Sequence, residues 1–183
     1  SPRPHRGSAV SQLKSLLFSV LVSPRRRYDP KLYGDDYYSQ LPAEPDTLRC
    51  RPWTEYCKPR NVLDVGFGGG AVLRGFLALG VDAHGVEPFA AAWEKCHPDL
   101  RGRVSQGGAS ATGQKDSSFD LVTCLDVLEH LPAVEAPAAL GELLRVSRAW
   151  VLLNICAWTD SNAPLDSTHI NLRSMGWWKR RVV

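Results

Sequence analysis

No apolar run in the 183 residues reaches the ~18 that a membrane-crossing helix needs. The longest candidate, SLLFSVLVS at 15–23, falls well short of it. Cysteine occurs five times (Cys50, Cys57, Cys96, Cys124, Cys156) but never as C-x-x-C. An odd, scattered set of this kind argues against a disulfide framework and against a zinc ribbon, and reads as reduced, mostly buried thiols in a reducing compartment such as the cytoplasm. Cys50 and Cys57 have no nearby His/Cys pair to complete a tetrahedral set, so no metal site is expected. Internal repeats and low-complexity segments are absent. Acid is missing from residues 1–28, which carry Arg3, Arg6, Lys14, Arg25, Arg26 and Arg27. With a net charge of +3, the remainder is near −3 (22 − 6 = 16 basic residues against 19 acidic), and no nucleic-acid surface is expected. The basic start and the 15–23 stretch have the features of an organelle import sequence. The competing reading is a docking helix whose apolar face covers the domain. The chain opens on Ser1 without a methionine, which reads as a processed or an engineered boundary.

What is present is ordinary for one globular domain: 44% hydrophobic and 22% charged residues. Residues 24–60 are rich in Pro, Arg and Tyr, with short helices expected at YGDDYYSQ (33–40) and RPWTEYC (51–57). From Asn61 strand and helix signals alternate. Strands are expected at 62–65, 81–87, 103–106 (weak), 118–126 and 149–156, the last nearly all apolar as a central parallel strand is. Helices are expected at 70–80, closed by Gly80, at 88–96, and at 134–147 with Pro137 near its first turn. The alternation implies βαβ units, a parallel sheet and helices on both faces. Ligands of such sheets bind outside the carboxyl ends of the strands. The unusual residues fall at those ends: the glycines after the first strand, Glu87 after the second, Asp126 after the fourth.

Two chemistries compete for VLDVGFGGG (62–70). As G-x-G-x-x-A (Gly66 to Ala71) it fits a dinucleotide fingerprint, with Glu87 about 20 residues on for a ribose. As Asp64-x-Gly66-x-Gly68-x-Gly70 it fits a loop that holds S-adenosylmethionine. The carboxylate separates them. An acid at the mouth of the loop repels a pyrophosphate, whereas it suits the ammonium and sulfonium of S-adenosylmethionine.

Together DVGFGGG, GVEP (85–88) and SFDLVTCLDVLEHLP (118–132) resemble the class I S-adenosylmethionine-dependent methyltransferases, in the small-molecule "type 11" group. The resemblance covers about residues 60–156, with the motifs in the family's order and spacing. It implies a Rossmann-like, doubly wound α/β fold with a parallel sheet in the order 3-2-1-4-5. Residues 1–60 would be a basic, aromatic extension with covering helices, and 61–183 the cofactor-binding domain. By the same resemblance Asp64, Gly66, Phe67, Gly68 and Gly70 line the methionine part of the cofactor. Glu87 with Pro88 holds the ribose, and Asp126 lies at the edge of the site. Glu129 and His130 are read as capping and packing the helix that follows.

The chain departs from that family twice. The acid that usually meets the adenine amino group is replaced in SQGGASATG (105–113) by Gly108, leaving the backbone near Ala109 or the Ser110 hydroxyl to serve. The sequence also stops at GWWKRRVV, before the family's further strands, the last of them antiparallel. This implies a fragment, a shortened homologue or an inactive relative, with the fifth strand an exposed edge unless the N-terminal segment, a homodimer partner or another chain covers it. Methyl transfer needs an aligned acceptor and often a base, but no enzyme nucleophile. In DSTHINLRSMGWW (166–178) His169 is the candidate base, against a role that only fastens the loop. No N/D-P-P-Y/F motif follows the fourth strand, which disfavours amino methylation of DNA adenine or protein glutamine. The leading reading is methyl transfer from S-adenosylmethionine to a small-molecule acceptor. Its rivals are a non-catalytic cofactor-binding relative that acts through a partner, and a nicotinamide-dependent oxidoreductase.

Overall fold

The computed structural model describes residues 28–157 and 168–182, so the 15–23 stretch lies outside the described residues. Five strands form one sheet in the order β3-β2-β1-β4-β5: β1 Asn61–Val65, β2 Asp82–Glu87, β3 Val104–Gln106, β4 Phe119–Leu125 and β5 Ser147–Asn154. All four pairings are parallel. The fold is therefore the doubly wound, Rossmann-like α/β sheet that the alternation implied. The helices are α1 Asp35–Ser39, α2 Thr47–Cys57, α3 Ala71–Ala78, α4 Ala90–Glu94, α5 Ala136–Val146 and α6 Met175–Val182. Among the described residues no helix is long and apolar enough to cross a membrane.

The central strand β1 shows why the sheet needs two helical layers. Its side chains alternate, and both faces are covered: Leu63 and Val65 join α5, α6 and Val86 in one core, while Val62 joins α2, α3 and Ala83 in the other. On the second face α3 buries Leu73 and Phe76, and α2 buries Cys50. Tyr33 and Tyr38 from the first described residues enter that same core. The Asp46 carboxylate caps α2 by accepting the Arg49 N–H at 3.0 Å. Pro137 falls in the first turn of α5, where its missing N–H costs nothing.

β5 is the edge strand that the order 3-2-1-4-5 implied, although its apolar sequence reads like that of a central strand. It begins at Ser147, directly after α5, and occupies the sheet edge, with Arg148, Ala149 and Trp150 exposed. Trp150 keeps 44% of its surface exposed and meets the ring of Tyr56 edge-on at 5.6 Å. An apolar run reports a covered strand face, not whether a strand has one neighbour or two.

Candidate active site

The parallel register brings the ends of β1, β2 and β4 together at one edge of the sheet, where they border a cavity of about 700 Å³. Asp64, Gly66, Phe67, Gly68, Glu87, Pro88, Ala109 and Asp126 all line it. Gly70 and His169 do not. Gly70 caps α3 with a left-handed φ of +85°, and its N–H closes the turn on the Phe67 carbonyl at 2.9 Å. The backbone N–H groups of Ile170 and Asn171 both bond the Glu129 carbonyl at 2.9 Å, which pins the His169 segment to that turn. There the His169 ring packs edge-on against His130, with centroids 4.7 Å apart.

Asp64 is 3% exposed. The Thr123 hydroxyl donates to its Oδ1 at 2.6 Å. Burial pushes its pKa up to about 6, partly opposed by that hydrogen bond and by the Arg49 charge. Glu87 is also buried, and burial lifts it to about 7. The Tyr38 hydroxyl donates to Glu87 Oε1 at 2.9 Å, and this bond, with the nearby backbone N–H groups of Gly68 and Phe89, opposes the rise by favouring the ionised form. Burial and the facing Glu87 drive the Tyr38 phenol well above its usual range, so it stays a donor. Two carboxylates held partly protonated in one cavity favour a ligand that brings positive charge and hydroxyl donors.

Asp126 stands in left-handed backbone at φ +56°, unusual for a residue with a side chain. Two bonds to β5 hold it: its N–H donates to the Asn154 carbonyl, and Asn154 Nδ2 donates to its carboxylate, both at 2.8 Å. Arg49 lies 3.5 Å from the Asp126 carboxylate in a half-exposed pair of small energetic weight. Gly108, Ala109 and Ser110 form the wall beyond β3, where Gly108 and Ala111 exchange backbone hydrogen bonds at 3.0 and 3.1 Å.

Sequence reasoning missed much of the opposite wall. Tyr28, Tyr33, Tyr37, Arg49 and Glu135 line it, and Tyr33 stacks on Phe89 at 4.8 Å. His130, read as a packing residue, also lines the cavity, with Nδ1 3.1 Å from the Tyr33 hydroxyl. Nothing in the spacing of residues 28–49 foretells this, because each contact spans dozens of positions.

The glycine loop is closed at Gly66 by Val127, after β4, and at Gly68 and Gly69 by Leu41 and Pro42 of the same segment. A Cβ on Gly66 would lie 2.4 Å from the Val127 side chain, at a φ of +80°. A Cβ on Gly69 would lie 2.4 Å from the Pro42 carbonyl oxygen, which is backbone and cannot rotate aside. Gly69→Ala is therefore expected to lift residues 41–46 off the loop and cost about 1–3 kcal/mol of stability, as overpacking does. An unchanged melting temperature would show that this contact is not held in solution.

An acid-bearing glycine turn after β1 and an acid closing β2, on a 3-2-1-4-5 parallel sheet, define the class of Rossmann-like methyltransferases. Residues 62–149, just under half of the chain, match the family described as "Methyltransferase domain". The mitochondrial ubiquinone biosynthesis O-methyltransferase of Schizosaccharomyces pombe is 36% identical, over 43% of this chain and 33% of that protein. An uncharacterized methyltransferase of Mycobacterium ulcerans is 34% identical, over 61% of this chain and 46% of that one. The chain spans about a third of the length of the ubiquinone biosynthesis relatives it matches. Among solved structures, a SAM-dependent methyltransferase from Archaeoglobus fulgidus superposes with a TM-score of 0.66 at 21% identity, covering 74% of this chain and 65% of that one. A protein from Pyrococcus horikoshii OT3 gives 0.64 at 18% identity, covering 80% and 87%. These two likenesses speak for the fold.

Proposed function

We propose that the cavity binds S-adenosylmethionine and directs its methyl group to a hydroxyl of a small aromatic acceptor. The observation that carries this reading is the convergence of two buried carboxylates, Asp64 and Glu87, on a glycine turn that lines the same cavity. They suit the cationic amino-acid end and the ribose diol of that cofactor, and repel the pyrophosphate of a nicotinamide dinucleotide. S-adenosylmethionine supplies an electrophilic methyl carbon on a sulfonium. The chain supplies position and charge. In this reading Asp64, Gly66, Phe67 and Gly68 border the methionine portion, and Glu87 takes the diol on the oxygen that Tyr38 leaves open. Pro88, Ala109 and Ser110 face the adenine, and Asp126 closes the edge.

The acceptor would enter beside Tyr28, Tyr33, Tyr37 and Phe89, whose rings favour a planar molecule. The relatives named as ubiquinone biosynthesis O-methyltransferases support oxygen as the accepting atom. His130 takes the base role in place of His169, because it lines the cavity and its Nδ1 is oriented by the Tyr33 hydroxyl. A second copy, or another chain, pairing with the outer edge of β5 belongs to the same proposal.

Calorimetry with S-adenosylhomocysteine, alongside methyl-transfer assays on phenols and catechols, tests the reading. Glu87→Ala is expected to lose about 1.5–3 kcal/mol of binding, the scale of a hydrogen bond to a charged group. His130→Gln should keep cofactor affinity and lower turnover about 100-fold or more. Unchanged affinity in a folded Glu87→Ala protein would overturn the site. Binding without turnover on any phenol would leave a cofactor-binding relative that is not an enzyme of this kind.

A further inference from the structure

Behind His130 a second group of reactive side chains comes together, outside the cavity. Glu129 is fully buried in the turn after β4, and its carboxylate accepts the Cys156 backbone N–H at 2.8 Å. Cys156 follows the end of β5. His169 lies in the segment whose next two backbone N–H groups bond the Glu129 carbonyl. Three stretches of chain thus meet. A Glu129 carboxylate oxygen, Cys156 Sγ and a His169 ring nitrogen all lie within 4.8 Å of one another.

We propose that Glu129, Cys156 and His169 bind one divalent transition-metal ion of the zinc type, with water in the fourth position. The donors select the ion. One oxygen, one nitrogen and one sulfur suit borderline zinc, whereas magnesium and calcium require oxygen ligands and copper(I) prefers an all-sulfur set. Charge balance agrees. A carboxylate, a thiolate and a neutral imidazole sum to −2, so the dication leaves a half-buried cluster of zero net charge. Tetrahedral zinc with bonds of about 2.0–2.3 Å places its ligands roughly 3.3–3.6 Å apart, which the side chains reach by closing in about an ångström. The backbone bonds at Glu129, Cys156 and Ile170 already hold the three anchors in place. Binding breaks the Cys156 S–H bond, forms a sulfur–metal bond and passes the proton to solvent, with no change of oxidation state. The His169 ring touches His130, so the ion would sit one ring behind the cavity wall and clip the 168–171 segment to the turn that carries His130.

The test uses the whole 183-residue chain, reduced, stripped with a chelator and titrated with cobalt(II) and then zinc(II). One cobalt per chain is expected, with a sulfur-to-cobalt charge-transfer band and the visible bands of a four-coordinate ion, all bleached by zinc. Cys156→Ser should abolish the charge-transfer band. His169→Ala should retain it but weaken binding by about tenfold or more, the scale at which even a supporting residue counts. Cys57→Ser should change nothing. In the unsubstituted chain, zinc should shield Cys156 but not Cys57 from alkylation, which is a readout no variant's folding can obscure. A missing charge-transfer band, a band that survives Cys156→Ser, or equal alkylation of Cys156 with and without zinc would overturn the proposal. None of these results depends on whether the cavity binds S-adenosylmethionine.

Discussion

Asp64→Asn is expected to weaken S-adenosylmethionine about 10- to 100-fold and to change methylthioadenosine, which lacks the amino-acid end and the sulfonium charge, far less. The substitution preserves shape and the hydrogen bond from Thr123 while deleting the charge. Under a nicotinamide reading the sign reverses, because removing an acid beside a pyrophosphate leaves affinity unchanged or improves it. Equal losses for both adenosyl ligands would mean that Asp64 only ties the loop together.

The pH dependence gives the same assignment a second, opposed pair of signs. Burial places Asp64 near 6 and Glu87 near 7 in the ligand-free protein. In the proposed reading Asp64 faces the cationic end and Glu87 the diol, both ionised, so affinity is full only above about pH 8. It falls by about tenfold per pH unit below 7 as Glu87 takes up its proton, and more steeply below 6, where Asp64 does too. Stability of the ligand-free protein runs the other way. Both carboxyls bind protons more tightly in the fold than in the unfolded chain, whose values are 3.8 and 4.5. Their contribution therefore rises as pH falls from 8 toward 5 and levels off near 4, where the unfolded chain is protonated too. Glu142, held near 2 chiefly by Arg145, and Asp82, lowered chiefly by Arg103, have the ordinary sign and lose stability below about pH 4. Calorimetric affinity and thermal melts across pH 5–8 should thus move in opposite directions. Parallel movement would mean that these two carboxyls are not the groups that titrate.

What could be read from the sequence was what lies close together along it. The β1 strand, the glycine turn and Glu87 are contiguous or one βα unit apart, so their spacing carried the fold and one wall of the cavity. Gly70 shows the limit of spacing. The G-x-G-x-G alternation put it in the ligand's path, while its actual task is to let the chain turn into α3 at φ +85°. The other wall depends on distant contacts: Tyr38 reaches Glu87 across 49 positions, and Tyr33 reaches His130 across 97. No local pattern encodes those pairings. The Glu129, Cys156 and His169 group was hidden for the same reason, since ligand spacing reveals metal sets only when two ligands share one short segment. His169 itself was placed correctly after the fifth strand. Its distance from the cavity came from two backbone bonds to Glu129 that only the folded chain forms.

Trp178→Ala is expected to cost about 3–5 kcal/mol, the range for deleting a buried aromatic ring. Trp178 is 1% exposed and joins Leu143 and Val146 of α5 and Val122 of β4 in one core, so the ring is what seats α6 on the sheet. For a domain of this size that loss lowers the melting temperature by roughly 6–20 °C. The conservative variant separates packing from polarity. Trp178 Nε1 is buried with no hydrogen-bond partner among the described residues, a group that costs free energy where it stands. Trp178→Phe removes that unpaired N–H and keeps most of the apolar volume, so its cost should be well under half that of alanine. The consequence reaches the cavity. The helix follows residues 168–174, where Asn171 Nδ2 bonds the Leu128 carbonyl beneath His130. Once α6 detaches, that segment loses its downstream anchor, and hydrogen exchange at Ile170 and Asn171 should accelerate in Trp178→Ala but not in Trp178→Phe. Equal, small effects from both substitutions would show that α6 does not pack on the sheet in solution.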